Sequence, residues 1–286
     1  MRELTAIFAG EALRRLGYGV LALLAGAAFA TGAADAGERA LRLGVTTTIE
    51  NSGLLAHLLP KFTTATGIKV RAIVRGTGEV LRAARSGDVD VFLSHDGAAE
   101  RAFVAAGHGL ARRDVMFNHF VIIGPKGDPA GIRGLSEARR AFSRIAGARA
   151  IFVSRGDDSG THRAERTIWA AAGIDPGKAS GSWYLEAGAG MGSTLNVAVG
   201  RGAYALTDSA TWLAFGNKGS SVILLAGGAA LVNQYGVTLV DPKRFPRLNA
   251  KAAKRFADWI TSPEGQAGIA GFLIGGRQAF TPNAKR

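Results

Sequence analysis

From residue 37 onward the chain alternates between short apolar stretches with the two-residue period of a strand and longer stretches with helical spacing. The strand-like segment 41–45 is followed by apolar residues at helical spacing over 54–62. Further strand-like segments at 68–74, 89–94, 119–125 and 150–154 alternate with helix-like ones. This alternation predicts an α/β fold with mostly parallel sheets and helices on both faces.

The first 36 residues have a different pattern. Arg14 and Arg15 precede an apolar run at 16–30, which ends in small residues and is shorter than the roughly 20 residues that span a bilayer. The pattern is typical of a secretory signal peptide, which we place at 1–36; the alternative, an uncleaved anchor helix, is disfavoured by the length of the run. The chain has no cysteine, so it can carry neither a lipid anchor on that residue nor disulfides or thiolate metal sites. We expect a protein without a stable membrane anchor, free in the periplasm.

Charge narrows the classes of partner. The net charge is +13, and removing 1–36 leaves it unchanged because that segment holds three basic and three acidic residues. Such a field favours anionic ligands, although a basic surface that only aids solubility explains it equally well. A basic adhesin is a third interpretation. Zinc-finger spacing, helix-turn-helix and aromatic-basic patterns are absent from the sequence, so no nucleic-acid partner is predicted.

Hydroxyl-rich loops follow the first two strands. Thr46, Thr47 and Thr48 come after 41–45, before a helix predicted to begin near Ser52, and Thr77 lies in the "GTG" that follows 68–74. Unpaired N–H groups at a helix start suit an anion, and hydroxyls add donors, so Thr47, Thr48 and Thr77 are candidate ligands. Each loop is equally typical of a β-prone threonine run or a capped turn.

The stretch "SRGDDSGTH" at 154–162 is the richest loop. Ser159, Gly160 and Thr161 are predicted to form the first turn of a helix, with Arg155 as a charged, planar donor beside them. We expect the two neighbouring acids, Asp157 and Asp158, to cap the helix and orient Arg155. Alternatives are a surface pair for Arg155, and a hydrolase with Ser159 as nucleophile and His162 as base, although the "GxSxG" elbow is absent.

A third glycine turn opens a helix in "GAGMGSTL" at 188–195, where the N–H of Gly192 is a further candidate donor. The five histidines show no metal-ligand spacing. We therefore predict no cofactor and no bound metal cation.

The loops "VTTTIENSGLL" and "FVSRGDDSGTH" share a plan of strand, hydroxyl loop, acid-x-Ser-Gly and helix, which suggests one such loop in each of two lobes. The extended segments "FVIIGP" and "YGVTLV" provide the crossovers. We predict lobe I at 37–125 and 236–286, lobe II at 126–235, and a two-stranded hinge.

The chain resembles the tungstate-binding proteins of Tup-type ABC transporters, within the type II periplasmic-binding fold. The matching segments, in order, are "TTT…NSGLL", "GTGEVLRAARSGDVDV", "FNHFVIIGPKGDPAGI", "FVSRGDDSGTH", "GMGSTLN", "ALTDSATWLA" and "SPEGQ". The resemblance implies an extracytoplasmic, monomeric receptor, not an enzyme, that delivers an oxyanion to a permease driven by an ATPase.

Two positions depart from the family pattern, and both bear on the choice of anion. Ile49 replaces a hydroxyl, and Ser209 replaces an expected basic residue. Tungstate and molybdate are dianions near pH 7 that only accept hydrogen bonds, so they need donors without a facing carboxylate. Phosphate keeps a proton and benefits from an acceptor, so a phosphate receptor follows if Asp157 or Asp158 faces the pocket. Sulfate also only accepts hydrogen bonds, so the size of the pocket alone would separate it from tungstate.

Overall fold

The computed structural model describes residues 39–285, so the predicted signal peptide at 1–36 lies outside it. Its strands are β1 (Leu41–Thr46), β2 (Val70–Arg75), β3 (Val91–Ser94), β4 (Gly109–Pro125), β5 (Phe152–Ser154), β6 (Tyr184–Glu186), β7 (Ala205–Asp208), β8 (Ser221–Ala226), β9 (Val232–Val240), β10 (Leu273–Ile274), β11 (Arg277–Gln278) and β12 (Thr281–Pro282). Its α-helices are α1 (Thr47–Asn51), α2 (Leu54–Thr66), α3 (Thr77–Arg85), α4 (Gly97–Ala105), α5 (Ala138–Gly147), α6 (Gly160–Ala171), α7 (Met191–Gly200), α8 (Ser209–Ala214), α9 (Ala250–Ile260) and α10 (Pro263–Ala270). The α/β class is confirmed. Within 39–285, no helix is both long and apolar enough to cross a membrane.

The largest sheet has the strand order β12-β4-β9-β3-β1-β2. β1 pairs in parallel with β2 and β3, as expected for strands joined by helical crossovers. β9 lies between β3 and β4 and is antiparallel to both. β7 and β8 are antiparallel to β4. The prediction of mostly parallel sheets therefore needs correction. β9 is antiparallel to β3 and β4 because the chain re-enters this sheet there, after it has formed the other half of the fold.

Strand β4 is 17 residues long and belongs to two groups of strands. Its first part pairs with β9 from Gly109 to His119, and its second part pairs with β7 and β8 from Phe120 to Pro125. The sequence predicted only 119–125 as a strand, because the charged residues around Arg112 hide the apolar alternation of the preceding part. This long strand, with β9 beside it, connects the two halves of the fold.

The buried residues of β4 belong to different apolar cores along the strand. Up to Met116, its buried residues pack in a core with β1, β3, β9 and α9. From Phe120 onward, they pack in two cores formed by residues between 120 and 231. A separate core includes α3 residues, among them Val80, and residues such as Phe103 of α4.

Glu165 of α6 is buried beside β5 and β6, directly behind the "SRGDDSGTH" loop. One of its carboxyl oxygens, Oε1, accepts hydrogen bonds from Trp169 Nε1 (3.1 Å) and from the Tyr184 hydroxyl (2.8 Å). Burial raises the pKa of Glu165 to about 7, although these donors partly oppose the shift. The folded protein therefore favours the protonated carboxyl, and stability falls as pH rises from about 4.5 to about 7.

We expect Glu165→Gln to raise the free energy of unfolding by roughly 1–2 kcal/mol at pH 8, because it removes a buried charge and keeps an acceptor for Trp169 and Tyr184. The gain should become small at the ordinary pKa of the carboxyl, about 4.5. Urea unfolding of both proteins at pH 8 and pH 4.5 measures it. A variant that is less stable at pH 8 would contradict the assignment.

Candidate functional site

The "SRGDDSGTH" loop connects β5 to α6. Ser159 is the N-cap of α6, and its hydroxyl accepts a hydrogen bond from the backbone N–H of His162 (3.3 Å). Gly156 and Asp158 have positive φ values of 61° and 55°, which turn the loop back on itself. We expected Asp157 and Asp158 to cap this helix, but the N-cap is Ser159.

The two acids of the loop hold arginines. Asp157 forms an ion pair with Arg155 and accepts from the N–H of Ser159 (3.2 Å). Asp158 pairs with Arg163, and this hydrogen bond lowers the pKa of its carboxyl. Asp157 therefore orients Arg155, as the sequence predicted.

Arg155 is not a surface residue, since only 2% of it is exposed. Its Nε is buried and has no hydrogen-bond partner within 39–285. The Oγ1 of Thr161, in the first turn of α6, is also buried and unpaired in the described chain. Interior polar groups are nearly always satisfied, so these two donors lack an acceptor.

The threonine segment lies at the end of β1. Helix α1 begins at Thr47, not near Ser52 as predicted, because the strand passes directly into the helix. Thr46 and Thr48 are buried, with their hydroxyl oxygens 3.0 Å apart, whereas Thr47 is half-buried. Ile49 packs in the apolar core of this half of the molecule. The isoleucine that replaces the hydroxyl residue of the family pattern therefore adds apolar packing.

Thr77 and Gly160 belong to two of the candidate loops and are in contact. Thr77 begins α3 and is buried, and its Oγ1 accepts a hydrogen bond from the N–H of Gly160 (3.2 Å). That N–H is therefore occupied in this arrangement. Gly192 is half-buried in the first turn of α7, which lies beside α1, and the preceding Ala189 donates its N–H to the Arg155 carbonyl (3.3 Å).

Four further buried side chains continue from Thr48, and we call the set the buried polar chain: Thr48, His95, Asn233, Asn118 and Asp208. Thr48 Oγ1 lies 3.2 Å from His95 Nε2, and His95 Nδ1 lies 2.9 Å from Asn233 Oδ1. Asn233 Nδ2 donates to Asn118 Oδ1 (2.8 Å), and Asn118 Nδ2 donates to Asp208 Oδ1 (3.0 Å).

The sequence analysis missed both asparagines. The only signal for them is an amide beside aromatic or β-branched residues, in "FNHF" and "LVNQYG". Both are almost fully buried, Asn118 on β4 and Asn233 on β9, and they face each other in the register of that pair. The buried polar chain thus passes through both long connecting strands.

Burial and three nearby charged residues, Arg155, Asp208 and Asp96, affect the pKa of His95. Burial lowers the pKa of His95 most strongly; Arg155 lowers it further, whereas Asp208, the Asn233 hydrogen bond and Asp96 raise it. Asp208 is fully buried, and its Oδ2 has no partner in the described residues. No group of three or more His, Asp or Glu side chains within 39–285 could hold a metal ion.

A cavity of about 660 Å³ borders the buried polar chain at His95 and Asn233. Arg163 crosses it: Nη1 donates to Asp96 Oδ2 (2.8 Å), and the same guanidinium holds Asp158. Asp96 also caps α4 by accepting from the N–H of Ala99 (3.0 Å). Arg155, Thr46 and Thr48 do not line this cavity, and all three are almost fully buried.

Comparison with known proteins places the chain in a family. The model of the PBP superfamily domain matches residues 31–264. A putative ABC transporter anion-binding protein of Haloferax volcanii is 46% identical over 255 residues, covering 87% of this chain and 74% of that protein. The tungstate-binding protein TupA of Peptoclostridium acidaminophilum is 41% identical over 253 residues, covering 85% and 86%.

A solved structure agrees with the sequence relatives. The tungstate-binding protein TupA of Desulfovibrio alaskensis G20 has a TM-score of 0.74 and 42% identity, covering 86% of this chain and 99% of that one. The resemblance indicated by the motifs is thereby confirmed, and the two-lobed periplasmic-binding fold with it. The chain belongs to the family described as the PBP superfamily domain.

Proposed function

We propose that this chain is the extracytoplasmic solute-binding protein of an ABC transporter and that it binds tungstate or molybdate. The observation that carries the proposal is the buried guanidinium of Arg155, with an unpaired Nε in the described chain. A desolvated charged donor is costly unless something accepts from it, and a dianion that only accepts hydrogen bonds would do so. Relatives named for tungstate or anion binding support this ligand class.

We propose that the anion is held by side-chain and backbone donors of the hydroxyl-rich loops: Thr47, Thr48, Thr77, Arg155, Ser159, Gly160, Thr161 and Gly192. The unpaired Thr161 hydroxyl supports this, because it lies in the first turn of α6, a helix of 12 residues. The N–H groups of that turn carry partial positive charge. Thr77 would have to release the N–H of Gly160 before this group could reach the anion.

Calorimetric titration of the mature protein with tungstate, molybdate, sulfate and phosphate tests the proposal. We expect one anion bound per chain, with tungstate or molybdate the tightest. Because only acceptor-type dianions match unpaired donors, phosphate should bind more weakly. Heat from phosphate alone would replace the proposal with the alternative below, and absence of binding by all four anions would refute it.

A phosphate receptor is the second candidate, and a specific observation favours it. Asp208 contributes a buried carboxylate oxygen without a partner in the described chain, which could accept the remaining proton of phosphate. Asp157, by contrast, is engaged by Arg155 and by the N–H of Ser159. The side-by-side titration distinguishes the two ligands.

The geometry gives little support to a hydrolase. The Ser159 hydroxyl accepts from the His162 backbone, and His162 Nδ1 accepts from the N–H of Asp158 (3.1 Å). The serine and the imidazole are thus held by different partners and do not form a nucleophile–base pair. Steady turnover of an ester by the parent protein, lost in Ser159→Ala, would revive this function.

We further propose that lobe I comprises 37–125 and 236–286, that lobe II comprises 126–235, and that the lobes close on the anion. Contacts between the two groups of loops support closure, namely Thr77 with Gly160 and Asp96 with Arg163. The radius of gyration from small-angle scattering should fall on addition of tungstate, since hinge closure compacts two-lobed receptors. An unchanged radius at saturating tungstate would contradict closure.

The Thr161 hydroxyl should contribute a modest part of the affinity. We expect Thr161→Val to weaken tungstate binding by about two- to tenfold, because a neutral donor contributes about 0.5–1.5 kcal/mol. Thr167→Val is the matched control, since Thr167 is on the same helix, is exposed and donates its hydroxyl to the Arg163 carbonyl. Equal affinities of the two variants would remove Thr161 from the site.

Export and partners complete the proposal. We propose that the protein acts as a monomer in the periplasm, after cleavage of residues 1–36, and passes its anion to a permease driven by an ATPase. The mass of the exported protein tests whether residues 1–36 are cleaved. A chain that retains its N-terminal residues would contradict cleavage.

A further inference from the structure

The direction of every hydrogen bond in the buried polar chain follows from its Asp208 end. Asp208 Oδ1 accepts from the backbone N–H of Thr211 (3.0 Å) and so acts as an acceptor. Asn118 must therefore present its amide NH₂ to Asp208 and its oxygen to Asn233. Asn233 in turn presents its NH₂ to Asn118 and its oxygen to His95.

This assigns the tautomer of His95. Its Nδ1 must carry a proton, because it faces the oxygen of Asn233 at 2.9 Å. Burial, the largest influence, lowers the pKa of His95 below 6.5, so the ring is neutral near pH 7 and Nε2 is an acceptor. Thr48 Oγ1, 3.2 Å away, then donates its proton to Nε2.

In that state neither Thr46 nor Thr48 has a hydroxyl proton left for an anion. Thr48 gives its hydroxyl proton to His95, so in the 3.0 Å pair of hydroxyls Thr46 donates to Thr48. The Tyr235 hydroxyl accepts from Asn233 Nδ2 (2.9 Å), and its ring packs 5.1 Å from that of His95. Both threonine protons are thus used inside the protein.

We propose that His95 is a positioning residue which takes up one proton from solvent when the anion enters, and thereby turns the Thr48 hydroxyl toward the anion. With both ring nitrogens protonated, Nε2 donates to Thr48 Oγ1, and one hydroxyl proton is released for the ligand. The inference rests on the proposed function and deepens it: the Thr48 hydroxyl becomes a donor to the ligand, and His95 gains a positive charge, only when the dianion is present.

The groups around His95 permit this change. Asp208 from the β7–α8 junction and Asp96 from its own loop favour the charged ring, whereas Arg155 from the β5–α6 loop opposes it. A dianion near Arg155 would offset that opposition and raise the pKa of His95. Affinity should therefore fall as pH rises from the pKa of His95 in the free protein to its pKa in the complex, by up to about tenfold for each pH unit.

The test is calorimetry with sodium tungstate at pH 7 in two buffers of different ionisation enthalpy, which yields the protons taken up per anion. We expect up to ~1 proton for the parent and none for His95→Gln, which cannot titrate. His57→Gln is the matched control, because His57 bonds the Gly268 carbonyl on α10 (3.1 Å), away from the buried polar chain. It should keep the parent's proton uptake.

Nitrogen chemical shifts of the imidazole rings provide a second readout that needs no folded variant. The free protein should show His95 protonated at Nδ1 only, and the tungstate complex should show both nitrogens protonated. Tungstate binding without proton uptake, or a free ring protonated at Nε2, would overturn the inference and leave the proposed function intact. A parent protein that binds no tungstate would overturn both.

Discussion

Gly160→Ala is expected to weaken tungstate binding at least a hundredfold, about 2.7 kcal/mol. A Cβ on Gly160 would lie 2.7 Å from His95 Cε1 and 3.0 Å from both ring nitrogens. The imidazole cannot withdraw freely, because Thr48 and Asn233 hold its two nitrogens. Relief therefore requires α6 to move away, which breaks the Gly160–Thr77 hydrogen bond and separates donors that must converge on one anion.

The substitution should leave the fold intact, because the clash involves polar loops and none of the apolar cores. Gly147→Ala is the matched control: it lies at the end of α5, its φ is not positive, and a Cβ there meets nothing within 4 Å. Calorimetry with tungstate and thermal unfolding of both variants measure the two effects. If Gly160→Ala bound tungstate within threefold of the parent, the contact of α6 with His95 would have no part in binding.

Local chemistry explains why the conformation of the loops proposed for the site could be predicted from the sequence. The start of α6 follows from Ser159, a residue that caps helices through its own side chain, and the orientation of Arg155 follows from an acid two residues away. Thr48 and Thr77 stand at strand ends, where α/β sheets bind ligands. These features depend on neighbours within a few positions.

The buried polar chain could not be predicted in this way. His95 and Asn233 are 138 positions apart, and Asn233 and Asn118 are 115 apart. Their contact depends on β9 being inserted beside β4, and this pairing is also what makes the sheet mixed rather than parallel. The pairing with β9 also stabilises the first part of β4. In this part, Arg112 forms an ion pair with Glu100 of α4. Sequence periodicity carries no information about such partners.

Arg155→Ala is expected to weaken tungstate binding by about tenfold to a hundredfold. Hydrogen bonds that involve a charged group contribute about 1.5–3 kcal/mol, roughly twice as much as neutral donors. The guanidinium is 98% buried and paired with Asp157, so solvent screens it little and the pairing holds it in place. Its unpaired Nε is the strongest donor in the described chain that still lacks an acceptor near the start of α6.

Truncation also leaves Asp157 without its cation, so the variant must be shown to be folded. Asp157 keeps the hydrogen bond from the N–H of Ser159, and about a fifth of its side chain reaches solvent, which limits the cost. Arg166→Ala is the matched control, since Arg166 lies on α6 with about half of its side chain exposed. Both proteins are titrated with tungstate and unfolded thermally. Parent-like affinity in a folded Arg155→Ala would assign this arginine to loop structure, and the anion would then depend on the hydroxyls and the first turn of α6.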